Sequence, residues 1–150
     1  MGKFLLICNP VAGNGASKRA LAALQEALDA ANAEYTVQLT EYPQHATQLA
    51  RAAAGSYECI VAVGGDGTVH EVALGLIGTE QAMGIVPCGT GNDFVRPTAI
   101  PADPALAADV LLHGVNVPID TGLVNGEPFV NVAGFGFDVD VLDQVEYYKT

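Results

Sequence analysis

The sequence predicts an α/β fold: a doubly wound, mostly parallel sheet with helices on both faces, followed by an antiparallel hairpin that begins a second domain. Three observations predict it. Four short apolar runs alternate with stretches of helical periodicity, the βα rhythm of a parallel sheet. The loops leaving three of the predicted strands are polar and rich in glycine, and in such sheets ligands bind beyond the carboxyl ends of the strands. After Gly114 the rhythm breaks, and Asn125-Gly126 sits between two β-prone runs, a strong hairpin signal.

The elements follow in order. Phe4 to Cys8 is a continuous apolar run, as expected of a strand covered on both faces. Its apolar core is too short for a signal peptide, and Asn9-Pro10 ends it. Asn9 to Gly15 is a loop by composition. Ser17 to Ala31 is rich in Ala, Leu and Glu, and Leu21, Leu24 and Leu28 fall on one helical face. Tyr35 to Leu39 predicts a second strand, Gln44 to Ala54 a second helix, and Gly55 suits the position just past its end. Cys59 to Val63 is the third strand, with a helix from Val69 to about Ile77 beyond its glycine loop. Met83 to Val86 is the fourth. Asp103-Pro104 supplies a capping acid and a proline at the first helical position, opening a helix to about Leu112. Val115 to Val124 and Phe129 to Ala133 are the predicted hairpin strands. A lone hairpin is marginally stable, so the chain reads either as a piece of a longer protein or as a domain onto which the hairpin folds back.

Composition narrows the function. Half of the residues are hydrophobic and 15% are charged, which fits a globular domain. The net charge of -11 argues against a nucleic-acid partner, whose phosphates need Lys and Arg, and against charge-driven binding to anionic membranes. Cys8, Cys59 and Cys88 are odd in number and lack CxxC spacing, so buried free thiols in a reducing cytoplasm fit better than disulfides or zinc.

Three loops carry chemistry. In Gly64-Gly65-Asp66-Gly67-Thr68, small residues let backbone N–H groups approach a phosphate, and the following helix adds partial positive charge. Asp66 repels a phosphate directly, so its role is to bind a metal through water or to orient a hydroxyl; Glu71 lies within reach of the same region. The bland alternative is a tight turn with a capping acid. Asn9 to Gly15, containing Gly13-Asn14-Gly15, is neither a dinucleotide fingerprint nor a Walker motif and reads equally well as a turn. Gly89-Thr90-Gly91-Asn92-Asp93 combines two glycines, a hydroxyl, an amide and an acid at a strand exit. His70-Glu71 suggests a zinc protease, but position 74 is Leu, so the second ligand is missing.

Taken in order, Asn9-Pro10-x-Ala12-Gly13, Gly64-Gly65-Asp66-Gly67-Thr68 with Glu71, and Pro87-x-Gly89-Thr90-Gly91-Asn92-Asp93-Phe94 resemble the diacylglycerol kinase catalytic domain family, which includes bacterial soluble lipid kinases and sphingosine and ceramide kinases. The central motif is shared with NAD kinases and resembles that of phosphofructokinases; Gly-Thr-Gly-Asn-Asp-Phe selects the lipid kinases. Ile119-Asp120-Thr121-Gly122 and Asn131 to Asp138 also look like the family's next segment.

The resemblance implies ATP-dependent phosphorylation of a lipid hydroxyl with Mg²⁺, by a cytoplasmic protein that visits the membrane surface. It implies that Asn9, Thr40, the Gly64–Glu71 loop and Thr90 contact nucleotide, with Gly13, Gly89 and Asn92 in the same loops. It implies that Asp66, Asp93 and Asp120 gather around water and metal near the phosphates. With so few basic residues, Mg²⁺ must supply much of the positive charge, with Lys18 and Arg96 as candidates for the rest. Residues 1–121 would form the nucleotide-binding domain, and 122–150 would begin a β-rich lipid-binding domain holding the catalytic base. Family members run to roughly twice this length, so the 150-residue chain by itself is expected to be inactive. A soluble-acceptor kinase of the NAD kinase type and a non-catalytic nucleotide-binding module are the alternatives.

Overall fold

A computed structural model describes residues 3–134. The motif residues Gly136 to Asp138 lie outside the described residues. Four parallel strands form one sheet in the order β2-β1-β3-β4: β1 (Lys3–Cys8), β2 (Glu34–Leu39), β3 (Cys59–Gly64) and β4 (Ala82–Pro87). The connecting helices are α1 (Ala16–Ala30), α2 (His45–Ala53), α3 (Asp66–Leu76) and α4 (Pro104–His113).

The pleat divides each strand between two cores. Phe4, Leu6 and Cys8 of β1 face α1 and α4, where Leu24, Leu28, Ala107 and Ala108 are buried. Leu5 and Ile7 face the opposite way, onto Ala46 and Ala50 of α2 and Val69 and Val72 of α3. Both faces of β1 and β3 are therefore apolar, which is why these strands read as unbroken hydrophobic runs. Each fully buried Leu or Ile contributes about 1.5–3 kcal/mol by leaving water. Gly75 of α3 lets α2 come close: a β-carbon there would lie 2.6 Å from the Thr47 carbonyl oxygen.

The chain winds from β1 outward to β2, then back across β1 to β3 and β4. The direction of winding reverses between β1 and β3, and this switch point opens a crevice at their carboxyl ends. Register makes the crevice shared. Cys8 pairs with both Leu39 and Val63, and Val63 with Val86, so all four strands end on nearly one rung. The loops that begin at Asn9, Thr40, Gly65 and Cys88 therefore leave from the same edge.

Two boundaries differ from the sequence expectation. The third helix starts at Asp66, with Gly65 as its N-cap, and not at Val69. The first turn of a helix tolerates glycine because its N–H groups have no intrahelical acceptor to lose. The hairpin is shorter than expected: β5 (Gly122–Val124) and β6 (Glu127–Phe129) pair antiparallel, β6 ends where the expected strand Phe129–Ala133 begins, and 115–121 has no strand partner. Val115, Val117 and Ile119 alternate as a strand would, yet all three are exposed. The turn itself is as the sequence requires, with φ of 52° at Asn125 and 86° at Gly126. β6 lies against α3, so the hairpin does touch the first sheet's helical layer.

Candidate nucleotide site

The first loop is built by Asn9. Its backbone N–H donates to the Val63 carbonyl (3.2 Å), tying it to β3, and its side-chain Oδ1 accepts from the Val11 N–H (3.1 Å). A tight turn, Ala12–Gly15, follows, with φ of 58° at Gly13, 52° at Asn14 and 84° at Gly15. Three consecutive left-handed residues explain the Gly-Asn-Gly sequence, since these types enter that region at least cost. At Gly13 a β-carbon would run into the Cys88 carbonyl, so this loop packs directly on the exit of β4.

The second and third loops meet backbone to backbone. A β-carbon on Gly89 would sit 2.6 Å from Gly65 Cα, and one on Gly65 would sit 3.1 Å from Gly89 Cα. The Cys88 N–H donates to the Gly64 carbonyl at 2.8 Å. Asn92, at φ 51°, closes the third loop on itself: its Oδ1 accepts from the Gly89 N–H and its Nδ2 donates to the Gly89 carbonyl, both at 2.8 Å.

Asp66 joins the two loops through its side chain. Its Oδ1 accepts from the Phe94 N–H at 3.2 Å. Its Oδ2 lies 2.9 Å from the point a β-carbon of Gly91 would occupy, and Asp93 Oδ2 lies 3.3 Å from that point. Two carboxylates thus converge on a glycine whose missing side chain leaves room between them. Arg96 pairs with Asp93 at 2.9 Å in an exposed ion pair, worth little to stability. Asp120 stands in the exposed 115–121 segment. Among the described residues no set of three His, Cys, Asp or Glu side chains is grouped closely enough to hold a metal ion.

A cleft of about 420 Å³ opens beside these loops. It is lined by Asn9, Thr40, Tyr42, Gly67, Thr68 and Glu71, among others. Gly64, Gly65, Gly89 and Asn92 lie outside this lining, in the contact between loops, and Thr90 is exposed. Glu71 has a second partner that local sequence does not show. Its Oε2 accepts from the Ala46 N–H (3.3 Å) at the start of α2, and its carbonyl accepts from Thr47 Oγ1 (2.8 Å). It therefore fixes α2 against α3 while facing the cleft. A cleft of about 450 Å³ at the opposite edge, between Ala54–Glu58 and Thr79–Ala82, contains none of the glycine loops.

The cysteine thiols are held in their protonated form. Burial pushes the Cys59 thiol up to about 12, with the Glu58 charge adding to it. Burial likewise raises Cys88 to about 11, helped by Cys8, and burial raises Cys8 itself. All three are protonated near neutrality and pack as small apolar side chains.

Residues 3–124 match the diacylglycerol kinase catalytic domain. The chain belongs to that family. A diacylglycerol kinase of Bacillus subtilis (strain 168) is 37% identical over 163 residues, covering 99% of this chain and 54% of that protein. A diacylglycerol kinase of Staphylococcus saprophyticus is 36% identical over 145 residues, covering 95% of this chain and 46% of the relative. The crystal structure of a diacylglycerol kinase from Bacillus anthracis str. Sterne superposes with a TM-score of 0.77 at 34% identity, covering 86% of this chain and 48% of that one. The chain spans about half the length of the relatives it matches. In this diacylglycerol kinase-like fold the α/β architecture and the parallel sheet with its small antiparallel pair are as the sequence predicts. Sequence reasoning missed the Phe94 N–H, which holds Asp66, and the cleft wall formed by Tyr42 and Pro43. An aromatic residue and a proline directly at a strand's carboxyl end were the available signal for that wall.

Proposed function

We propose that the chain is the nucleotide-binding half of an ATP-dependent lipid kinase that transfers the γ-phosphate to a lipid hydroxyl. The observation that carries this reading is the meeting of Gly65 and Gly89 beside the paired Asp66 and Asp93 carboxylates, at the sheet's switch point. Backbone N–H groups at the start of α3, with its partial positive charge, receive the phosphates. Asn9, Thr40, Gly67, Thr68 and Glu71 hold the nucleotide along the cleft, and Thr90 adds a hydroxyl from the third loop.

Mg²⁺ fits the donor set: Asp66 Oδ2 and Asp93 Oδ2 approach one another across Gly91, and two such carboxylates favour a cation between them. When bound, it neutralises phosphate charge. Asp66 and Asp93 would hold it, directly or through water, and Asp120 is the third acid proposed for the site. The Phe94 N–H keeps Asp66 aimed at the gap. Residues 1–121 form the nucleotide-binding domain, and 122–150 begin a β-rich domain that binds lipid and supplies the base that deprotonates its hydroxyl.

The change from parallel sheet to antiparallel hairpin supports that division. Among the described residues no helix is long and apolar enough to cross a membrane; the proposal has the lipid met at the membrane surface, from the cytoplasm. The test is transfer of label from γ-labelled ATP to diacylglycerol in mixed micelles, with sphingoid base and NAD as competing acceptors. It uses the protein carrying this chain together with its proposed second domain. Label in a lipid supports the proposal, whereas label in NAD, or ATP binding with no transfer, contradicts it.

A further inference from the structure

Tyr42, one of the residues lining the cleft, carries an aromatic ring held more firmly than its burial requires. Tyr42 is 48% exposed, yet three contacts fix its loop. Its hydroxyl donates to Gln48 Oε1 at 3.1 Å. Its ring stacks on His45 with centroids 4.4 Å apart and planes 10° from parallel. His45 is itself held, because its Nδ1 accepts from the Glu41 N–H at 3.1 Å. Val11, 77% exposed, lines the same cleft from the first loop and is positioned by the Asn9 side chain. Two large apolar side chains thus stand in water at a cleft whose inner end, Gly67 and Thr68, is the start of α3. Ordering an exposed ring gains little for folding, since the cost in side-chain freedom is met with little area buried. It is the arrangement that favours a planar ligand, because the platform's ordering is already complete before binding.

We infer that Tyr42, positioned by His45 and Gln48, is the platform on which the nucleobase stacks, and that this platform favours purine over pyrimidine nucleotides. The inference rests on the nucleotide reading above and adds the residue that reads the base. With phosphates at the start of α3, the rest of the nucleotide runs outward along the cleft towards Tyr42. Recognition by stacking scales with ring area and tolerates changes in exocyclic groups. ATP and GTP are therefore bound alike, and CTP less well.

The test measures binding to the full chain by titration calorimetry with ATP, GTP, CTP and inorganic tripolyphosphate, which carries no base. Tyr42→Ala should weaken ATP and GTP by ~10-fold, the size of one lost base stack, and leave tripolyphosphate unchanged. Tyr42→Phe should keep most of the ATP affinity. Because the chain has no tryptophan, Tyr42→Trp gives a single reporter whose emission ATP should quench and tripolyphosphate should not. Unchanged ATP affinity in Tyr42→Ala, an equal loss of ATP and tripolyphosphate, or an unquenched reporter would overturn the assignment. A wild-type chain that binds neither ATP nor tripolyphosphate would instead overturn the nucleotide reading, and the platform with it.

Discussion

Gly67→Ala separates what the fold needs from what the site needs. Gly67 is the second residue of α3, its φ is not left-handed, and a β-carbon there meets nothing within 4 Å. Replacing a glycine by alanine where the backbone is compatible gains about 0.4–1 kcal/mol, chiefly by restricting the unfolded chain. In a domain of this size that raises Tm by roughly 1–4 °C. The same open space is the wall of the cleft. There the new methyl group stands where a phosphate must come within hydrogen-bonding distance of the backbone. Loss of one hydrogen bond to a charged group costs about 1.5–3 kcal/mol, so ATP affinity should fall at least ~10-fold. Calorimetric Tm and ATP titration on the same preparation check both halves. A variant more stable than wild type that binds ATP equally well would refute the idea that backbone at Gly67 receives phosphate.

The remaining predictions divide the loops in the same way. Gly89→Ala should destabilise the chain by about 1–3 kcal/mol in urea unfolding, because its β-carbon would press on Gly65 Cα and neither backbone can move alone. Asp66→Asn retains an oxygen for the Phe94 N–H and should fold normally, yet phosphoryl transfer by the two-domain protein should fall by orders of magnitude. Asp103 accepts from the Ala105 and Leu106 N–H groups at 2.9 and 3.0 Å; Asp103→Ala should cost ~1 kcal/mol of stability and leave ATP binding unchanged. Folding raises the Cys59 thiol from 9.0 to about 12, so its contribution is fully present below pH 9.0 and is lost as the pH climbs towards the folded value. Unfolding free energy should decline over that alkaline range, and less steeply in Cys59→Ala.

The sheet was legible because β1, β3 and β4 are covered on two faces and so write continuous apolar runs into the sequence. The loops were legible because Gly13 and Gly89 stand where another backbone leaves no room for a β-carbon, and Gly65 where one would fit only tightly. What the sequence hid depends on contacts between distant elements. Glu71 closes the start of α2 across 25 positions, and no local pattern encodes that pairing. Tyr42 reads as part of the segment that closes a strand until its stack on His45 and its place on the cleft are seen. Alternation at Val115, Val117 and Ile119 suggested a strand, but a strand also needs a neighbour, which alternation does not specify. The start of α3 was set three residues late because glycine propensity is a helix-interior quantity, applied there to a first turn.

In the proposed function, three loops at one sheet edge form a single phosphate site. The most direct measurement is an amide NMR titration of the chain with ATP. The account predicts that the amides of Gly13, Gly65 to Thr68 and Gly89 to Gly91 shift together with one dissociation constant, while those of Ala54 to Glu58 and Thr79 to Ala82 at the opposite edge stay in place. Shifts confined to the opposite edge, or glycine loops that do not respond to ATP, would contradict it.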